Sequence, residues 1–139
     1  MADNRNSFLS ILLLIVLSGF IFSFAYKIWK PMDYSKIKIA VLNGCGVDDL
    51  ASDTSKFLRK EGFDVTFFGN AAENQERTVI VDKLTEKKKW ASIVGKKLGI
   101  TNLSYSVDSS RCLNVVIILG NDYKEVLPDE ILNRRLIGI

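Results

Sequence analysis

Residues 37–46, IKIAVLNGCG, place a nearly continuous apolar run directly before an Asn-Gly-Cys-Gly turn. An apolar run of this length, rich in β-branched residues, is the pattern of a strand buried on both faces, and the turn after it needs glycine's backbone freedom. The next stretch reads as helical. Asp48 or Asp49 is placed to cap a helix in which Leu50, Thr54, Phe57 and Leu58 share one face, and Gly62 is placed to end it. Phe63 to Phe68 then predicts a second strand with Val65 and Phe67 on one face, closed by Gly69.

The same alternation continues downstream. Thr78 to Val81 (TVIV) predicts a third strand, and Thr85 is a suitable cap for a second helix that ends at Leu98-Gly99 with Ala91, Val94 and Leu98 facing inward. Lys87, Lys88 and Lys89 fall in its first turn and oppose the helix dipole weakly. Leu103 to Val107 (LSYSV) alternates like a half-buried strand, and Leu113 to Leu119 (LNVVIIL) reads as a buried central one that ends at Gly120. The order β-α-β-β-α-β-β predicts an α+β fold: a mixed sheet with two helices on one face, close to a split β-α-β arrangement. Pro128-Asp129-Glu130 reads as a helix start for Ile131, Leu132, Leu136 and Ile137, a short tail expected to dock on the domain, with binding of a partner as the other reading.

Upstream, Phe8 to Tyr26 (FLSILLLIVLSGFIFSFAY) carries no charge over nineteen residues. As a helix it would be roughly 28 Å long, close to the ~30 Å hydrocarbon thickness of a bilayer. A cleaved signal is one reading, since Arg5, the apolar core and Ser23-Phe24-Ala25 supply the basic start and small residues that a signal needs. A retained anchor is the other, supported by the aromatic and basic belt of Tyr26, Lys27, Trp29 and Lys30. The expected organisation is a short amino-terminal segment (1–7), a transmembrane helix or signal anchor (8–26), a linker (27–35), one domain (36–124) and a short helix or tail (125–139). Orientation is contested within the sequence. Lys27, Lys30, Lys36 and Lys38 lie after the apolar run and favour a cytoplasmic domain, yet domains beyond about 60 residues translocate largely regardless of flanking charge.

Charge limits the partners. Setting aside Arg5, Lys27, Lys30 and Asp3 leaves sixteen basic against fifteen acidic residues, a net +1, over residues 31–139. That is no nucleic-acid footprint. The chain has no histidine, which removes the usual general base, the His-assisted nucleophile and the His metal ligand. Asp82 and Glu86 could lie near one helix start, but as a pair of surface carboxylates they are expected to be solvated and not catalytic. No cofactor, metal or catalytic residue is expected. The Gly44–Gly46 turn lacks the further glycines and the lysine-serine pair of a phosphate-binding loop.

A family resemblance is carried by Ile39 to Gly44, Gly46, Ala51, Leu58, Gly62-Phe63-Asp64-Val65, Gly69-Asn70-Ala71, Thr78, Ala91, Leu98-Gly99, Leu119-Gly120 and Asp122-Tyr123. In that order and spacing, residues 37–123 resemble the LytR C-terminal domain, the module that ends LytR-CpsA-Psr envelope proteins and also stands alone behind one transmembrane helix. Cys45 departs from the small hydroxyl residue or glycine more usual there. The glycopolymer transfer performed by those larger proteins belongs to a separate catalytic domain for which this chain has no room. The resemblance therefore implies a non-enzymatic, membrane-anchored binding or scaffolding module of the bacterial cell envelope. Its domain would be extracytoplasmic and would contact cell-wall polymer or an envelope protein. The alternative is a cytoplasmic-facing membrane-tethered regulatory or assembly protein.

The expected contact surface is the set of strand-end loops, because amides and free backbone N–H groups there suit sugar hydroxyls and peptides. It comprises Asn43, Gly44, Gly46, Asn70, Asn74, Gln75, Asn121, Asp122 and Tyr123. The same residues also suit the plain demands of turns. Cys45 and Cys112 depend on topology. Were Leu103 to Val107 irregular, the last strand would run antiparallel beside the first and bring the two cysteines together. If it is a strand, as its alternation predicts, they fall at opposite ends of the sheet and stay unpaired, beyond the roughly 7 Å Cα limit for a disulfide.

Overall fold

The computed structural model describes residues 3–108, 110 and 112–136, and separates into two compact units, one up to Met32 and one from Asp33 onward. In the first unit, α1 (Asp3–Ile28) continues the uncharged run by a few polar residues at its start. The most apolar eighteen residues within Asn4–Ile28 have a mean hydropathy of 2.6, and the segment is long and apolar enough to cross a membrane. Its Phe, Leu and Ile side chains are all exposed. The hydroxyls of Ser10 and Ser18 are satisfied within the helix: Ser10 Oγ donates to Asn6 O and Ser18 Oγ to Ile15 O, each at 2.9 Å.

The second unit opens with a 3₁₀ turn (Tyr34–Lys36) whose Tyr34 ring stacks on Phe63 with centroids 4.7 Å apart. Then come β1 (Lys38–Asn43), α2 (Leu50–Lys60), β2 (Asp64–Asn70), β3 (Val79–Asp82), α3 (Lys89–Leu98), β4 (Leu103–Tyr105) and β5 (Val115–Leu119), succeeded by α4 (Tyr123–Val126) and α5 (Asp129–Leu136). The strands form one mixed sheet in the order β2-β1-β5-β3-β4. β1 lies parallel to both β2 and β5, β3 runs antiparallel to β5, and β4 is parallel to β3. The expected α+β class and element order hold.

α2 packs over β1 and β2, and α3 over β3 and β4, on one face. Ile39, Val41, Ile80, Val115, Ile117 and Leu119 project into that layer and are fully buried with Leu50, Leu58, Val94 and Leu98. The tail docks as expected. Ile131 of α5 is fully buried, and Glu130 pairs with Lys60 of α2. Ile137 and the side chain of Leu136 lie outside the described residues.

Four local expectations are corrected. A β-bulge shifts the register so that Ile39 faces Val65 but the next residue, Ala40, faces Phe67. Val65 and Phe67 therefore point to opposite faces; Val65 is buried and Phe67 is 55% exposed. Neither Asp48 nor Asp49 caps α2 through its side chain, and Asp49 takes a left-handed conformation (φ 61°). α3 starts at Lys89, so Lys87 and Lys88 precede it. Thr85 Oγ1 accepts from Lys89 N at 3.2 Å, but the stronger cap is Asp82.

Asp82 is no surface acid. It is fully buried at the end of β3; its Oδ1 accepts from Leu84 N and Thr85 N, and its Oδ2 from Trp90 N and Ala91 N, all between 2.8 and 3.1 Å. One carboxylate thus satisfies a turn and the open N–H groups of a helix that begins with a lysine. Glu86 is exposed and takes no part.

Candidate functional site: a strand-end cleft and a helix-free sheet face

Because β2, β1 and β5 run parallel, their carboxyl ends share one edge of the sheet, and the loops after Asn43, Asn70 and Leu119 meet there. Backbone hydrogen bonds stitch them together. Gly44 N donates to Leu119 O at 2.8 Å, Gln75 N to Gly44 O at 2.7 Å, Ala71 N to Asn43 O at 2.9 Å and Asn121 N to Gln75 O at 3.0 Å. Gly44 sits so close that a Cβ would lie 2.8 Å from Leu119 O and 2.9 Å from Gln75 Cγ. At Gly120 a Cβ would lie 2.6 Å from Thr78 N. These two glycines permit the approach of three loops, which no larger residue could do without displacing backbone.

The nine expected residues divide into those that build this edge and those that face outward. Asn43 is a builder: its Nδ2 donates to Val47 O at 2.6 Å and its Oδ1 accepts from Cys45 N at 3.1 Å, an Asx turn. Asp122 is another, with Oδ1 accepting from Thr78 N at 2.7 Å and Thr78 Oγ1 at 2.8 Å, while that hydroxyl accepts from Gly120 N. Gln75 and Tyr123 are half-buried, and Tyr123 packs against the core. Gly46, Asn70, Asn74 and Asn121 are exposed.

Asn43, Gly46, Asn70 and Asn74 line a shallow cleft of about 260 Å³ together with Asp48, Asp49 and Ala71. Gly44, Gln75, Asn121, Asp122 and Tyr123 are not brought into it. Asp48 and Asp49 were legible in the sequence only as helix caps; the parallel pairing of β1 with β2 and β5 is what brings the loop that carries them into the cleft. With two carboxylates, several amides and no basic group, the cleft suits hydroxyl-rich or cationic groups and disfavours phosphate. Among the described residues no three of Cys, Asp and Glu gather as a metal-binding group.

The opposite face of the sheet carries no helix. Ala40 and Leu42 of β1, Val116 and Ile118 of β5, Val81 of β3 and Phe67 of β2 floor a groove of about 770 Å³, walled by Ser106, Asp108 and Leu113 and edged by Lys83. The sequence carried the signal: strands apolar on both faces, combined with helices enough for one, leave the second face apolar and uncovered.

The cysteines are free, Cys45 partly buried and Cys112 exposed. With β1 parallel to β5, Cys45 lies just past the end of one strand and Cys112 just before the start of the other, at opposite ends of the sheet.

Comparison with known proteins places this architecture. A family model described as LytR cell envelope-related transcriptional attenuator matches residues 36–123. The crystal structure of the soluble domain of a conserved hypothetical secreted protein from Mycobacterium marinum shares the fold, with a TM-score of 0.52 at 20% identity, over 66% of this chain and 64% of that one. The chain thus spans just under two thirds of that relative's length. No curated protein matches it. Since the family match runs from the turn before β1 through the first residue of α4, covering more than half of the sequence, the chain belongs to the LytR C-terminal domain family.

Proposed function

We propose that the chain is a membrane-anchored, non-enzymatic binding module of the bacterial cell envelope, with its domain on the outer side and a cell-wall polymer or envelope protein as partner. The observation that carries this reading is a family match over residues 36–123 directly behind a helix of membrane-crossing length. A fold neighbour described as a secreted protein supports the outward placement. The partner contact is the strand-end cleft, where Asn70 and Asn74 offer amide donors and acceptors and Asp48 and Asp49 offer acceptors to sugar hydroxyls or to peptide amines. The absence of histidine and the full commitment of Asp82 to backbone N–H groups support a binding role over a hydrolytic one.

A cytoplasmic-facing assembly role is the second reading, favoured by Lys27, Lys30, Lys36 and Lys38 behind the helix. Alkaline phosphatase fused after Ile139 separates the two. We expect an active fusion that stays with carbonate-washed membranes, and an inactive one would select the cytoplasmic reading. For the cleft, the doubly substituted Asn70→Ala/Asn74→Ala chain in detergent should co-sediment with purified cell-wall material at least about tenfold less well than the wild type, a loss of about 1.4 kcal/mol. Unchanged sedimentation would remove the cleft from the proposal.

A further inference from the structure

We propose that the helix-free sheet face is a groove for the acyl region of an anionic membrane lipid. The groove is a surface that a soluble domain would ordinarily cover: Leu42, Val81, Val116 and Ile118 are half-buried, Phe67 is 55% exposed, and together they floor about 770 Å³ of open space, within the range of about 300–1,000 Å³ typical of ligand cavities.

Two observations select the occupant. The first is charge. At the end of the sheet where β1 begins, Lys38, Asn114 and Lys83 lie in a row across three strands: Asn114 N donates to Lys38 O and Lys83 N to Asn114 O, both at 2.9 Å. Lys83 edges the groove, and Lys38 shares the face of Ala40 and Leu42 by strand alternation. Neither ammonium belongs to an ion pair between described residues. Asp108, the acid of the wall, accepts from Ser110 N and Ser110 Oγ. Lys83 therefore lies in the groove's lining, donating to Ser106 Oγ at 3.4 Å, and Lys38 lies on the same sheet face beside it, a pair of ammonium groups suited to a phosphate or carboxylate headgroup.

The second observation is the tether. Only Trp29 to Asp33 separate the end of α1 from Tyr34, which is fixed on Phe63, so the chain can span on the order of 20 Å there. The basic end of the sheet is the end at which that tether enters. An acyl chain gains little by leaving the bilayer, since it is already apolar there; the driving force is the removal of the groove's own surface from water. The inference rests on the membrane-tethered reading of α1 and adds a second, separate surface to the strand-end cleft.

The test uses the full chain in nanodiscs containing a phosphatidylglycerol with a photoactivatable diazirine on its acyl chain, with cross-linked peptides mapped by mass spectrometry. We expect adducts on α1 and also on Ala40–Leu42 and Val116–Ile118. The Lys38→Glu/Lys83→Glu variant should lose at least fivefold of the sheet adducts while α1 labelling is unchanged, and a phosphatidylcholine probe of the same chain should give a similar drop. Labelling of α1 alone would overturn the groove assignment and leave the tether standing, and absence of label on α1 would overturn both. Protein–protein cross-links between sheet faces in place of lipid adducts would assign the groove to a second copy and equally overturn the proposal.

Discussion

At the scale of single residues, Asp82 shows how one buried carboxylate can decide a local fold. Four backbone N–H groups converge on it, two from the turn after β3 and two from the first turn of α3. Read along the chain it is one acid beside Lys83 and near Glu86, and nothing in its neighbours distinguishes it from a solvated surface group. Asp82→Asn keeps the shape but turns an Nδ2 donor toward two of those N–H groups. Leaving them unpaired in a buried site should cost about 2–4 kcal/mol. Thermal or urea unfolding of the full chain in mild detergent reads that loss, while Glu86→Gln should lie within about 0.5 kcal/mol of wild type. An Asp82→Asn chain as stable as the wild type would mean that the carboxylate's negative charge and second acceptor are dispensable.

At the scale of elements, α5 and the two cysteine-bearing strand ends give separate checks. Ile131 is fully buried, so Ile131→Ala should destabilise by about 2–4 kcal/mol through lost burial and a residual cavity. The Glu130 carboxyl is held below its usual value of 4.5 by the hydrogen bond from Lys60, aided by the charges of Lys60 and Arg134. A carboxyl depressed in the folded state contributes stability above its unfolded value, and that contribution is lost as pH falls through the folded value. The melting temperatures of wild type and Glu130→Gln should therefore differ at neutral pH and converge on acidification below 4.5; a gap that persists into acid would contradict the pairing. For the strand ends, iodoacetamide labelling of the unreduced, denatured chain should modify both Cys45 and Cys112. Protection of both would contradict the parallel pairing of β1 with β5.

At the scale of the whole molecule, the division of labour is between two faces and one edge of the same sheet. The helix-covered face supplies the core, the edge gathers polar loops, and the bare face presents an apolar groove. On the proposed membrane-anchored reading, the cleft and the groove are two separate surfaces, and binding at one would hold the other at high effective concentration.

The range of the forces involved sets how much of the fold and the cleft is legible along the chain. Periodicity, turn residues and caps act within a few positions. IKIAVLNGCG, TVIV and LNVVIIL therefore announced their strands, the buried stripes Leu50/Thr54/Phe57/Leu58 and Ala91/Val94/Leu98 announced the covered faces of α2 and α3, and nineteen uncharged residues announced a membrane-length helix. Those features were the sequence's own. The bulge that turns Phe67 to the open face, the burial of Asp82 under α3, the meeting of Asn43, Asn70 and Asn74 in one cleft with Asp48 and Asp49, and the bare face beneath Lys83 depend on which strands pair and in which direction. Only the tertiary structure decided them, because strand pairing joins residues up to seventy-six positions apart, as in the Lys38–Asn114 hydrogen bond, and no local pattern encodes such a partner.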